Sequence, residues 1–159
     1  MKTFGVWVAL LLCGIAPLAN AGGVEKLDRA TASLLVDADR YSQPTVVALW
    51  SLDCSHCKRY LKELGELSRG DDQVQIITVA VEPWHEEHGV VLDELNTGTQ
   101  RYAYGDEVPA VLGYALDPAW HGELPRALFF DGQGSKEARS GRLSMEAVKQ
   151  LLAVEVPVD

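Results

Sequence analysis

Val46-Val47-Ala48-Leu49-Trp50-Ser51-Leu52-Asp53-Cys54-Ser55-His56-Cys57-Lys58-Arg59-Tyr60-Leu61 decides how the chain is read. The run from Val46 to Trp50 is apolar and rich in β-branched residues. It lacks polar alternation, as expected of a central strand covered on both faces. A short turn breaks it, and two cysteines follow at C-x-x-C spacing as a helical pattern begins. The first turn of a helix has unsatisfied N–H groups and a partial positive charge, which favour a thiolate at its start. Cys54 is therefore the candidate nucleophile of thiol–disulfide exchange. Cys57, one turn on and expected to be buried, is the candidate resolving thiol.

Outward from the motif, the helix runs to about Ser68, with Tyr60, Leu61, Leu64 and Leu67 on one face. Arg69 to Asp72 is a turn, and Gln73 to Val81 reads as a second strand. Strand, helix and strand joined by short links make a right-handed βαβ unit with parallel strands. Upstream, Leu27, Ala30, Leu34 and Leu35 fit a helix over Val24–Asp39, ended by Tyr41 to Pro44. Downstream, a helix is expected over part of Glu87–Tyr102. Gly105 to Pro109 breaks the pattern, and the apolar stretch Ala110–Leu116 leads to Asp117-Pro118, where a helical turn can start. Arg126–Phe130 reads as a strand, Asp131 to Gly134 as a turn, and Ser135–Arg139 as an antiparallel return. Met145–Val154 is the final helix, capped by Ser144.

The chain has 159 residues, suited to one domain rather than two. Residues 1–21 read as a cleaved export signal: Lys2, an apolar run from Val6 to Ile15, and the small-x-small site Ala19-Asn20-Ala21. Residues 22–159 then form the mature domain. Cleavage removes one lysine and no acid, so the net charge goes from −9 to −10. That argues against nucleic acid and anionic membrane surfaces as partners. Cys13 leaves with the leader, so Cys54 and Cys57 are the only cysteines of the mature chain. One close pair closes too small a loop to staple a fold, so it is there for reactivity.

Cys54-Ser55-His56-Cys57 after the first central strand, with Leu124-Pro125 just before a later one, resembles the thioredoxin superfamily. The resemblance implies a three-layer α/β/α fold around a central mixed sheet. It also implies a cis peptide at Pro125, which would pack against the cysteines. Leu49 to Cys54 and Phe130 to Gly134 resemble exported TlpA/ResA-type thiol–disulfide proteins. The chain departs from that group at Tyr60, where a Glu is usual, and at Asp53, where a Trp is frequent. The dipeptide His56-Cys57 resembles DsbA-type oxidases instead.

Around the sulfurs, Asp53, Ser55 and His56 are the expected tuning residues. An imidazolium at His56 favours the thiolate and makes the disulfide more oxidising, while a carboxylate at Asp53 acts in the opposite sense. Leu124 and Pro125 are expected to shape the substrate site, with Trp50 either shielding the cysteines or filling the core. The rival chemistry is a Cys₂His₂ zinc or copper(I) site using Cys54, Cys57, His85 and His88, with His121 as a further donor. A His pair beside two glutamates also reads as a solvated surface segment, and nothing in the sequence ties it to the cysteines. The expectation is therefore a periplasmic thiol–disulfide oxidoreductase, a reductase before an oxidase or isomerase. It would have no cofactor beyond the Cys54–Cys57 disulfide and no metal. Its partners would be protein thiols and disulfides and an upstream redox protein, with a membrane-bound donor as one candidate.

Overall fold

The structure, a computed structural model, describes residues 23–98 and 100–153. The expected leader, residues 1–21, lies outside them, as does Val154 at the end of the expected last helix. The described residues form strands β1 (Glu25–Leu27), β2 (Thr45–Trp50), β3 (Gln75–Pro83), β4 (Gln100–Tyr104), β5 (Arg126–Phe130) and β6 (Lys136–Ser140). Between and after them run helices α1 (Arg29–Leu35), α2 (Ser55–Gly70), α3 (Glu86–Glu94), α4 (Pro109–Leu116) and α5 (Met145–Leu151). The sheet order is β1-β4-β3-β2-β5-β6. Strands β1 to β4 are mutually parallel, whereas β5 runs antiparallel to β2, and β6 antiparallel to β5.

Strand β2 is buried at all six positions. Its side chains alternate between two cores, which is why the run shows no polar alternation. Val46, Ala48 and Trp50 face one core with Cys57, Tyr60, Leu61 and Leu64 of α2, Leu92 of α3 and Val148 of α5. Val47 and Leu49 face the other, with Ala32 and Leu35 of α1 and Leu112 and Leu116 of α4. Helices thus cover both faces of the mixed sheet, giving the three-layer α/β/α architecture of the thioredoxin-like fold.

Two expectations are corrected. The helix over Val24–Asp39 is instead a short strand, a short helix and a 3-10 turn, Ala38–Arg40. Asp28 makes the division: its carboxylate accepts the Thr31 N–H at 2.7 Å and opens α1. Leu27, just before it, pairs with Tyr104 on the sheet edge. The helix expected over part of Glu87–Tyr102 is present as α3 and ends at Glu94. Asn96 (φ 47°) and Gly98 (φ 70°) then turn the chain into β4. Arg101 concealed that strand, since a charged residue seldom marks a buried strand position. Here it is 8% exposed, donating to Asp93 Oδ1 at 2.5 Å and to the Gly98 carbonyl at 2.8 Å. Finally, Ala110–Leu116 is itself helical. Pro109 stands in the first turn of α4, where its missing N–H costs nothing, and Asp117 both ends that helix and opens the turn after it, its carbonyl accepting the Trp120 N–H at 3.0 Å.

Candidate active site

Cys54 is the N-cap of α2, and Cys57 lies in its first turn. The two sulfurs are joined in a disulfide with the Cα atoms 5.2 Å apart. The Cys57 N–H donates to Cys54 Sγ at 3.1 Å, so a helix-terminal donor already points at the sulfur that would carry negative charge in the reduced state. Behind it, the Cys54 N–H donates to the Ser51 carbonyl at 3.2 Å, and the Cys54 carbonyl accepts from Lys58 N–H at 3.1 Å. Cys54 is partly exposed, while Cys57 is buried in the α2-side core. Asp53, Ser55 and His56 are exposed around the motif.

Leu124-Pro125 leads into the antiparallel strand β5. Arg126 pairs with Leu49, so the residues before Arg126 continue past the end of β2 where the motif begins. The Leu124–Pro125 peptide is cis, Pro125 is buried, and Leu124 packs against both cores. The segment is tied down by the ion pair of Arg126 with Asp117 and by the Trp120 Nε1–H donating to the Glu123 carbonyl at 2.7 Å.

Of the two roles open to Trp50, the structure shows core filling and no part in the substrate site. It is fully buried on the α2 face of β2, with its ring edge-on to His88 at 5.7 Å between centroids. It fills the core behind the motif and has no surface to offer a substrate.

The histidines do not converge on the sulfurs. His85 is exposed and caps α3, where its Nδ1 accepts the Glu87 N–H at 3.2 Å. His121 is exposed in the loop before β5, where its backbone N–H donates to Glu123 Oε2 at 3.1 Å. His88, expected on a solvated surface, is fully buried instead. Its position in α3 turns the ring inward, and both ring nitrogens have partners: Nδ1 at 3.0 Å from the His85 backbone nitrogen and Nε2 at 3.2 Å from Glu82 Oε1. Among the described residues, no cluster of three or more His, Cys, Asp or Glu is arranged to hold a metal ion.

Glu82 is the residue that reading the motif alone missed. Its Oε1 also accepts the Leu52 N–H at 2.5 Å, two residues before Cys54. The signal that could have found it is an acid at the end of an apolar strand lying beside β2, since Trp50 pairs with Ala80, two residues before Glu82. Among the described residues, no helix is long and apolar enough to cross a membrane.

No family model and no curated protein matches the sequence. Solved structures do resemble the fold. One is a thioredoxin-like protein in its oxidised form: 22% identity, TM-score 0.54, with 86% of this chain and 92% of that one covered. Another is a secreted disulfide oxidoreductase of Mycobacterium tuberculosis: 14% identity, TM-score 0.52, with 71% and 82% covered. A third is the thioredoxin domain of a thiol–disulfide oxidoreductase from Bacteroides vulgatus: 15% identity, TM-score 0.55, with 70% and 78% covered. At these identities, what the chain shares with them is the thioredoxin-like fold.

Proposed function

We propose that this protein is an exported thiol–disulfide oxidoreductase acting on protein substrates, with reduction as its working direction. The observation that carries this reading is the Cys54–Cys57 disulfide at the start of α2, its outer sulfur partly exposed and already accepting a helix-terminal N–H. The neighbours described as disulfide oxidoreductases support the same class.

In the reducing direction, the Cys54 thiolate attacks one sulfur of a substrate disulfide. An S–S bond forms between enzyme and substrate, and one substrate sulfur leaves as thiolate and takes up a proton. Cys57, having given up its proton, attacks Cys54 Sγ; the mixed disulfide breaks and the second substrate thiol departs. Two electrons pass to the substrate, and the enzyme is left oxidised. An upstream dithiol protein must reduce it again, and no cofactor beyond the cysteine pair takes part. Leu124 and Pro125 would line the approach, and the exposed Asp53, Ser55 and His56 would tune the couple. The small-x-small site after an apolar leader supports a periplasmic setting for this chemistry.

The test is reduction of insulin by the mature chain with a dithiol donor. Cys54→Ser should lower the rate to that of the donor alone, and Cys57→Ser should accumulate a mixed disulfide through Cys54. Wild-type rates in the Cys54→Ser variant would refute the mechanism. A second reading, oxidase or isomerase, is favoured by His56, exposed in the first turn of α2 beside Cys57. Reduction potentials of such sites run from about −270 mV for thioredoxin to about −120 mV for DsbA. A measured value near the upper end would replace the reductase assignment with the oxidase one.

A further inference from the structure

We propose that Glu82, held by His88, is a positioning residue of the redox centre that also sets its potential. Its carboxylate fixes the backbone entering Cys54, and its negative charge favours the disulfide over the dithiol. Three observations place it in that role. Glu82 Oε1 is shared between the Leu52 N–H and His88 Nε2, at 2.5 and 3.2 Å, so the carboxylate bridges α3 and the segment that carries the nucleophile. His88 is fully buried, and its ring is held on both sides: Nδ1 lies 3.0 Å from the His85 backbone nitrogen and Nε2 faces Glu82 Oε1. The His85 carbonyl oxygen lies 2.9 Å from the same Nδ1.

The third observation is topological. Trp50 pairs with Ala80, two residues before Glu82, and β3 shifts register against β4 between Ala80 and Pro83. The contact of Glu82 with His88, whose ring is edge-on to Trp50, puts the carboxylate on the side where Trp50 and Cys57 share a core. The carboxylate is only 29% exposed, so solvent screens it less than it screens the freely exposed Asp53. A carboxylate on that side disfavours a thiolate in the pair and stabilises the state in which neither sulfur bears charge, the disulfide.

The assignment rests on the exchange chemistry proposed above, but its test reads the couple itself. The disulfide is equilibrated with glutathione at pH 7. Two glutathione thiols give two electrons and two protons to Cys54 and Cys57 and leave as one glutathione disulfide. Glu82→Gln keeps an oxygen for the Leu52 N–H and for His88 and removes only the charge. It should move the equilibrium at least threefold toward the dithiol, about 14 mV for a two-electron couple. Glu82→Met, close in length and uncharged, should move it the same way and serves if the glutamine variant does not fold. Glu86→Gln, an exposed acid in the first turn of α3, should leave the constant within experimental error. An unchanged constant in a folded neutral variant overturns the proposal, and so does an equal shift in Glu86→Gln. A wild type that equilibrates with glutathione but reduces no insulin refutes the functional reading alone.

Discussion

Asp117→Asn tests whether the loop carrying Leu124-Pro125 is held by charge. Arg126 donates to Asp117 Oδ2 through Nε at 3.1 Å and through Nη2 at 2.5 Å, and each side chain is 11% exposed. Asp117 also stabilises the loop on its own side, since its Oδ1 accepts the Ala119 N–H at 3.0 Å. Asparagine can keep that cap but leaves the guanidinium without its counter-ion. Losing one partner of a buried pair costs about 3–5 kcal/mol, because the other charge stays desolvated. Two features put this case at the low end. Arg126 Nη1 still donates to Ser140 Oγ at 2.8 Å, and Glu123 Oε1 is 3.7 Å away, although nearly half exposed and so weak. The expected loss is about 3 kcal/mol, seen as a melting point lower by roughly 10 °C for a domain of this size.

The measurement is urea unfolding of wild type, D117N, R126M and the double variant at pH 7. In the double variant no charge is buried, so it should lose less than D117N alone, with a coupling energy of about 2 kcal/mol. Insulin reduction should weaken in D117N, because residues 117–125 are released from β5. A D117N loss below about 0.5 kcal/mol, the level of an ordinary surface change, would refute the reasoning. Simple additivity of the two single losses would do the same.

Gly132 has φ 76°, and a Cβ there would come within 2.8 Å of the Gln43 backbone. Gly132→Ala should cost about 2–3 kcal/mol in urea unfolding, from strain at positive φ together with overpacking; a loss under 1 kcal/mol would contradict the close approach. Burial pushes the phenols of Tyr41 and Tyr104 up to about 12 and raises Tyr60 further. A phenol buried neutral contributes stability that is fully present below its unfolded value of about 10. That contribution is lost as pH rises through the folded value. The urea midpoint should therefore hold up to about pH 10 and fall between 10 and 12. Tyr104→Phe should leave stability at pH 7 unchanged or slightly raised, since the Tyr104 hydroxyl is buried without a partner. The same substitution should shrink the alkaline fall, and an unchanged fall would count against burial as its cause.

What was legible in the sequence was local. β2, α2 and the Cys54–Cys57 pair sit in one continuous stretch whose apolar run, cap and spacing agree with one another. β5 and its return strand are marked by a turn in which Asp131 Oδ1 accepts the N–H groups of Gln133 and Ser135 at 2.8 and 3.0 Å. Between Glu86 and Tyr104 the helix was legible, but β4 and the burial of His88 were not, because their signals are set by distant partners. Arg101 occupies a buried strand position once Asp93 and the Gly98 carbonyl neutralise it, and His88 goes inward once Glu82 meets it. Three-residue β1 is too short to show a period of two; only its pairing with Tyr102–Tyr104 makes it a strand. Trp50 was legible as a core residue and misleading as a surface one, because burial on the α2 face depends on which way the strand is turned.

The same division runs through the site. β2 and β3 are parallel, so their C-terminal ends lie at one edge of the sheet, where chain segments leave the hydrogen-bonded ladder and side chains are free to meet. Cys54 follows β2 there, Glu82 stands near the end of β3, and His88 reaches back from α3. β5 contributes from the opposite direction: being antiparallel to β2, it begins at that edge, so Leu124 and Pro125 precede it there. A motif search finds the first of these segments because its two sulfurs are three residues apart. Glu82 and Leu124 are separated from Cys54 by 28 and 70 positions, and only the order of the strands brings them to it. Charge changes at Glu82 should therefore alter the couple without altering the motif.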